Sequence, residues 1–208
     1  MKPVKGGSAI ILAGGKSSRM GRDKALIEIF GELLVARVAR VISPLFESLI
    51  VVANGDLEAV LPDAAIVKDI FPGKGPLGGI HAGLTASRSE ENFVVACDMP
   101  FVSPAVIQRI RALRDKADVC LPETEKGLEP LCAVYSKSCL PQIERALRSN
   151  RRRVTAFFSE VDVRIVKREE LEGLDGVDLA FLNVNTREDL EAALQMGAGV
   201  YAGEGASE

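Results

Sequence analysis

Short runs of apolar and β-branched residues recur along the 208-residue chain, and helical spacing fills the stretches between them. The runs are Ala9 to Ala13, Ser48 to Ala53, Ala65 to Val67, Phe93 to Cys97, Val119 to Leu121, Leu131 to Tyr135 and Val163 to Val166. Several are apolar throughout rather than alternating, as strands covered on both faces require. In the gaps, Leu34, Val38, Val41 and Leu45 recur at helical spacing, with Arg37 and Arg40 expected off the apolar stripe. Ser103-Pro104 reads as a helix start, and Thr186-Arg187-Glu188-Asp189 as an acidic capping box opening the last helix. Strands alternating with helices predict a mostly parallel α/β sheet with right-handed crossovers. Ligands of such sheets bind outside the carboxyl ends of the strands.

Composition narrows the partners. Apolar residues make up 47% and charged residues 26%, as in ordinary globular proteins. A net charge of -3 gives no footprint for nucleic acid, so any anion-binding surface must be local. No apolar run approaches the roughly 18 residues of a membrane span, and no signal-peptide pattern opens the chain, so no membrane association and a cytoplasmic location are expected. Cys97, Cys120, Cys132 and Cys139 form no C-x-x-C pair and are expected as buried thiols. The single histidine, His81 in GGIHAGL, is expected to be packed rather than catalytic. Without a long linker or a repeat, residues 1–208 read as a single domain, with a core from about 8 to 196 and a frayed tail over 197–208.

The segments just beyond the strand ends are therefore the place to look for chemistry. The first strand leads into LAGGKSSRMGRDKAL, residues 12–26. A Walker loop needs G-x-x-x-x-G-K-S/T and a dinucleotide loop G-x-G-x-x-G, and the stretch fits neither. Its parts still suit phosphate. Gly14 and Gly15 let the backbone approach a ligand, successive amides make an anion nest, and Lys16, Arg19, Arg22 and Lys24 add positive charge. Asn54-Gly55-Asp56 after the second strand reads as a turn. Lys68-Asp69 after the third leads into the glycine- and proline-rich segment Phe71 to Gly79, suited to closing over a ligand.

The fourth strand ends in Cys97-Asp98-Met99-Pro100. A carboxylate closing an apolar strand needs a cation or hydrogen bonds. Beside a polyphosphate site, Asp98 is best suited to Mg²⁺, which is held by one or two carboxylates together with phosphates and waters.

Leu12 to Leu26, Gly75-Pro76-Leu77-Gly78-Gly79, Cys97-Asp98-Met99-Pro100 and Asn183 to Leu190 together resemble the motifs of molybdenum cofactor guanylyltransferases. The resemblance spans about residues 8–196 and implies a Rossmann-like, glycosyltransferase-A-like nucleotidyltransferase fold with a mostly parallel central sheet. It implies that Leu12, Ala13 and Gly14 line the nucleotide site and that Lys24 meets the GTP phosphates. Asp69 would contact the nucleotide, and Asp98 would bind both nucleotide and Mg²⁺. Asn54 falls near a guanine-nucleotide contact, and Asn183 and Asn185 would face the pterin. Arg151-Arg152-Arg153 resembles a basic segment of the family and reads equally as a solvated charge run. Gly79 stands where the family loop often carries alanine.

The implied reaction transfers GMP from GTP to the terminal phosphate of molybdenum-molybdopterin, releasing pyrophosphate. Arg19 and Lys24 are the candidates for stabilising transition-state charge, with Asp98 the third catalytic candidate. Molybdopterin-synthesis and molybdoenzyme-maturation proteins are the implied protein partners. Cytidylyl transfer to the same pterin, nucleotidyl transfer to another phosphorylated small molecule, and non-catalytic cofactor delivery remain alternatives at this point.

Overall fold

The structure is a computed structural model that describes residues 6–14 and 24–201. From the N-terminus, β1 (Ser8–Leu12) is followed by a 3-10 turn at Lys24–Leu26, a small hairpin of β2 (Glu28–Ile29) and β3 (Glu32–Leu33), and α1 (Leu34–Ile42). Then come β4 (Ser48–Val52), β5 (Ala65–Val67), α2 (Pro76–Ala86), β6 (Glu91–Ala96), α3 (Pro104–Leu113), β7 (Val119–Thr124), β8 (Gly127–Leu128) and β9 (Cys132–Ser136). The chain continues through α4 (Leu140–Arg148), β10 (Val163–Val166), the single-turn α5 (Val177–Ala180) and α6 (Arg187–Tyr201). Each of the seven apolar runs is a strand, six of them within two residues of their expected bounds and β7 running three residues beyond Leu121. Helix α6 covers residues 197–201, where the composition had suggested fraying.

The strands order as β10-β7-β9-β6-β1-β4-β5, with β8 attached to β7. β1 is parallel to both neighbours, β4 and β6, while β9 runs antiparallel to β6 and β7. From β1 the chain moves outward on one side to β4 and β5, then returns to the other side at β6. This reversal of direction opens a crevice at the carboxyl ends of β1 and β6.

Alternation along β1 sorts its side chains between two cores. Ala9 and Ile11 face a layer built with Val35, Val38 and Ile42 of α1 and Val106, Ile107 and Ile110 of α3. Ile10 and Leu12 face Leu77, Ile80 and Leu84 of α2 and Ile143 and Leu147 of α4. The opposite face holds α2 unusually close. A Cβ on Gly83 would lie 2.4 Å from Ile10 Cγ2, and one on Gly79 would lie 3.2 Å from Leu12 Cδ2. The glycines that weaken this helix locally are therefore what allow it to seat against β1.

Local signals account for most helix ends. Ser103 Oγ accepts from Val106 N–H at 3.4 Å, and Pro104 follows at the first helical position. Thr186 Oγ1 accepts from Asp189 N–H at 3.1 Å while the Asp189 carboxylate accepts from Thr186 N–H at 2.8 Å, the expected acidic box. Helix α1 stops where Ser43-Pro44 forces a 3-10 turn, so Leu45 joins the core from outside the helix. One expectation fails. Arg40 is exposed, but Arg37 is only 4% exposed and donates through Nε to Pro100 O at 2.9 Å. Its guanidinium lies 5.3 Å from the Phe30 ring and pairs with Glu32 at 3.6 Å. A charged residue beside the apolar stripe became an interior anchor because a carbonyl, an aromatic face and a carboxylate all reach it.

Candidate active site

The ladders that align β4, β1 and β6 continue one residue beyond the strands. Ala13 N–H bonds to Val52 O at 2.9 Å, Ala53 N–H to Val67 O at 3.0 Å, and Cys97 N–H to Leu12 O at 3.1 Å. The next residues, Gly14, Asn54 and Asp98, consequently arrive together at one sheet edge. They share a cleft of about 890 Å³ with Leu12, Ala13, Lys24, Asp69 and Asn185. Pro72, Gly73, Gly75 and Pro76 form its flank, and Leu131 closes the opposite wall. A Cβ on Gly14 would meet nothing nearer than Asn54 Nδ2 at 3.7 Å. Packing within the protein therefore does not require glycine there, and the space it leaves belongs to the cleft.

Asp98 is the most constrained group in the site. Its Oδ2 lies 3.0 Å from Lys24 Nζ, while its Oδ1 is buried and has no hydrogen-bond partner. Lys24 also donates to Asn185 Oδ1 at 2.5 Å. Val184 N–H bonds to Asp98 O at 2.8 Å, fastening the Asn183 to Asn185 segment along this residue. Asp189 accepts from Asn185 N–H at 2.9 Å, and that bond, followed by those from Thr186, holds its carboxyl below the ordinary range. The α6 cap therefore positions the Asn185 backbone as well as starting the helix.

Asp69 Oδ1 accepts from Phe71 N–H at 2.9 Å, turning the chain into the glycine-proline flank. A Cβ on Gly78 would fall 3.0 Å from the same carboxylate oxygen, so this glycine leaves room for Asp69. Further along, Lys74 Nζ donates to Asn150 Oδ1 at 2.9 Å, tying the flank to the end of α4. His81 is buried with its ring 4.9 Å from Phe71 and does not line the cleft. Burial holds its imidazole below the ordinary value of 6.5, against the opposing charges of Glu144 and Asp69.

The structure thus brings Leu12, Ala13, Gly14, Lys24, Asn54, Asp69, Asp98 and Asn185 to one cleft. Asn183 stands behind Asn185, its Nδ2 donating to Phe181 O at 3.3 Å. Gly15, Lys16, Arg19 and Arg22 lie outside the described residues. Arg151 donates to Ala156 O at 2.8 Å and Glu160 at 3.1 Å, and Arg152 donates to Asn150 at 3.0 Å. Neither they nor Arg153 line the cleft. All four cysteines are buried free thiols, and burial pushes Cys120 up to about 11 and Cys139 up to about 12.

One residue near the site escapes a search of strand ends. Glu129, just before β9, accepts from Leu131 N–H at 3.4 Å. Burial pushes its carboxyl up, the Leu131 bond opposes this, and the charge of Asp98 pushes it further up. It forms no ion pair among the described residues. The signal that could have found it is Glu129-Pro130 interrupting an apolar segment at the entrance to an antiparallel strand.

Among the described residues no three His, Cys, Asp or Glu side chains converge as a metal site, and no helix is long and apolar enough to cross a membrane. The profile of the MobA-like NTP transferase domain matches residues 9–163. A probable molybdenum cofactor guanylyltransferase of Pelotomaculum thermopropionicum is 39% identical over 91% of this chain and 92% of its own. The molybdenum cofactor guanylyltransferase of Desulfosudis oleivorans is also 39% identical, over 89% and 93%. The crystal structure of molybdopterin-guanine dinucleotide biosynthesis protein A from Archaeoglobus fulgidus superposes with a TM-score of 0.79 at 27% identity, covering 92% of this chain and 99% of that one. With the cleft at the β1–β6 crevice and these similarities along nearly its whole length, the chain belongs to the MobA-like NTP transferase family, alongside the molybdenum cofactor guanylyltransferases.

Proposed function

We propose that this nucleotidyltransferase moves GMP from GTP to the terminal phosphate of molybdenum-molybdopterin, forming the guanine dinucleotide cofactor and pyrophosphate with the help of Mg²⁺. The observation that carries the reading is Asp98: one carboxylate oxygen on Lys24, the other buried and unpartnered, at the mouth of a cleft large enough for a nucleotide. A buried carboxylate oxygen without a partner fits a cation. A single carboxylate fits Mg²⁺ in particular, because substrate phosphates and waters complete its shell. Mg²⁺ bound there supplies charge neutralisation on the phosphoryl oxygens.

The attacking group is a phosphate monoester, already ionised near neutral pH, so no general base is required. This agrees with a cleft that contains no histidine. What the residues must do is hold two polyanions in line and compensate charge. Leu12, Ala13 and Gly14 offer backbone at the nucleotide, and Asn54 and Asp69 offer polar groups on the same side. Lys24 supplies a positive charge next to Asp98, and Arg19 is proposed as a second cation on the phosphates. Asn185, held by Asp189 and Lys24, bounds the acceptor side together with Asn183. A cytoplasmic location follows from the use of GTP as donor.

The test is incubation with molybdenum-molybdopterin, Mg²⁺ and each of the four nucleoside triphosphates in turn. Consumption of GTP with release of one pyrophosphate per dinucleotide is expected. CTP consumption in its place would assign cytidylyl transfer, and pyrophosphate release without pterin would separate hydrolysis from transfer. The guanylyltransferase names of the similar proteins favour GTP over CTP.

A further inference from the structure

Helix α4 ends in a way that leaves one side chain unexplained. Arg151 N–H bonds to Ala146 O at 2.9 Å and Asn150 N–H to Leu147 O at 3.0 Å, the paired bonds of a Schellman stop. Such a stop needs a left-handed residue at its turn, and Asn150 takes that place with φ at 58°. Glycine adopts this conformation without strain, whereas asparagine adopts it at some cost. The helix ending therefore accounts for the backbone of Asn150 and not for its carboxamide.

The contacts of the carboxamide show what it does. Its Oδ1 accepts from Lys74 Nζ at 2.9 Å and from Arg152 Nε at 3.0 Å. Two cationic donors on one oxygen fix which way the amide faces. Lys74 forms no ion pair among the described residues, so the Asn150 oxygen is what holds it.

Lys74 in turn belongs to the flank of the cleft. Gly73 and Gly75 on either side of it line the cleft, as do Pro72 and Pro76. The two glycines have φ of 76° and 70°, and a Cβ on either would meet nothing within 4 Å. Packing at the glycines therefore does not wedge this wall in place. Lys74 carries the only polar side chain in residues 72–76, and it is half-buried while the other four residues are exposed. The Asp69–Phe71 bond fixes the flank upstream and the start of α2 at Pro76 fixes it downstream. Between those points the Lys74–Asn150 clasp ties it to another element. The flank follows Asp69, on the side of the cleft read as the nucleotide's. Building on the guanylyl-transfer reading, we infer that Asn150 is a positioning residue for the donor nucleotide: through Lys74 it holds the wall formed by residues 72–76 where the nucleotide meets it.

The deciding variant is Asn150→Gly, which keeps the helix stop and removes the clasp. Calorimetry of the full chain with GTP and Mg²⁺ should show affinity weakened about three- to tenfold, as for a wall correctly placed only part of the time. KM for GTP should rise similarly while kcat at saturating GTP holds. The urea midpoint should stay close to wild type, because glycine relieves the left-handed turn as it adds freedom to the unfolded chain. Asn150→Asp keeps an acceptor oxygen for both cations and should restore near wild-type affinity. Lys74→Met opens the clasp from its other end and serves equally should Asn150→Gly fold poorly. It should match Asn150→Gly, and the double variant should bind no more weakly than either.

Unchanged GTP affinity in Asn150→Gly overturns the inference and leaves guanylyl transfer standing, whereas a wild type that binds no GTP overturns both. A lowered urea midpoint with an unchanged KM makes Asn150 a stability residue and also overturns it. A much larger loss in Lys74→Met than in Asn150→Gly overturns it too, because the lysine would then bind phosphate in its own right.

Discussion

Lys24 Nζ sits 3.0 Å from Asp98 Oδ2, so a side chain proposed for phosphate already neutralises the carboxylate proposed for metal. A cation held by Asp98 would compete with Lys24 for the carboxylate's charge, and a nucleotide phosphate would draw the lysine away. Asp98→Asn keeps the shape and removes the charge. Turnover should fall about a hundredfold or more, with the fold intact, and GTP affinity should cease to respond to Mg²⁺. Normal Mg²⁺-dependent turnover in this variant would remove the assignment.

Lys24→Ala separates the two roles of the lysine. GTP affinity and turnover should both fall, while Mg²⁺ should bind more tightly in the absence of nucleotide because its competitor at Asp98 is gone. Titration calorimetry with Mg²⁺ alone reads the second effect. Weaker metal binding in Lys24→Ala would show that the lysine assists the cation rather than competing with it.

Arg37 should matter for stability more than its surface-like sequence context suggests. Arg37→Met keeps much of the aliphatic stem but leaves Pro100 O without its buried donor. The expected loss is about 1.5–3 kcal/mol, the range for a hydrogen bond to a charged group. Chemical denaturation measures it, and a loss below about 0.5 kcal/mol, the scale of ordinary surface substitutions, would show that the contact is dispensable.

Gly83→Ala places a methyl 2.4 Å from Ile10 Cγ2. Overpacking of this kind costs about 1–3 kcal/mol. Ile10→Ala removes the obstructing atoms, so the two substitutions should be non-additive, with the double variant more stable than the sum of the single losses predicts. Additive losses would place the strain elsewhere.

His81 gives the fold a pH dependence of known sign. Its folded-state pKa is depressed by burial, so the unfolded chain takes up the proton first as pH falls through the ordinary value of 6.5. The contribution is complete above that value, is lost progressively below it, and levels off under the depressed pKa. Urea unfolding of wild type and His81→Leu between pH 8 and pH 5 should therefore give curves that diverge below about 6.5, the ordinary histidine pKa, with the wild type losing more. Parallel curves would show that folding leaves the imidazole's proton affinity unchanged.

The sheet was legible because its strands are apolar on both faces, and that pattern survives without tertiary context. The two-residue strands Glu28–Ile29, Glu32–Leu33 and Gly127–Leu128 carry too few residues to show a period. Asp69 and Asp98 were found by inspecting the residues just past each strand, a rule that holds for parallel strands. Glu129 was missed for the same reason: β9 is antiparallel, and its entrance rather than its exit meets the cleft. Arg37 was misread because helical spacing reports distance from an apolar stripe and cannot register a carbonyl arriving from another segment.

The reversed strand has a consequence for how the chain can diversify. One side of the cleft comes from residues between 12 and 98, while Leu131 and Asn185 come from later in the chain. On the proposed reading, donor and acceptor choice are written in separate stretches of sequence, joined by the Lys24–Asn185, Ala96–Leu131 and Asp98–Val184 hydrogen bonds. A lineage could exchange its acceptor by rewriting the later stretches and inherit the nucleotide half unaltered.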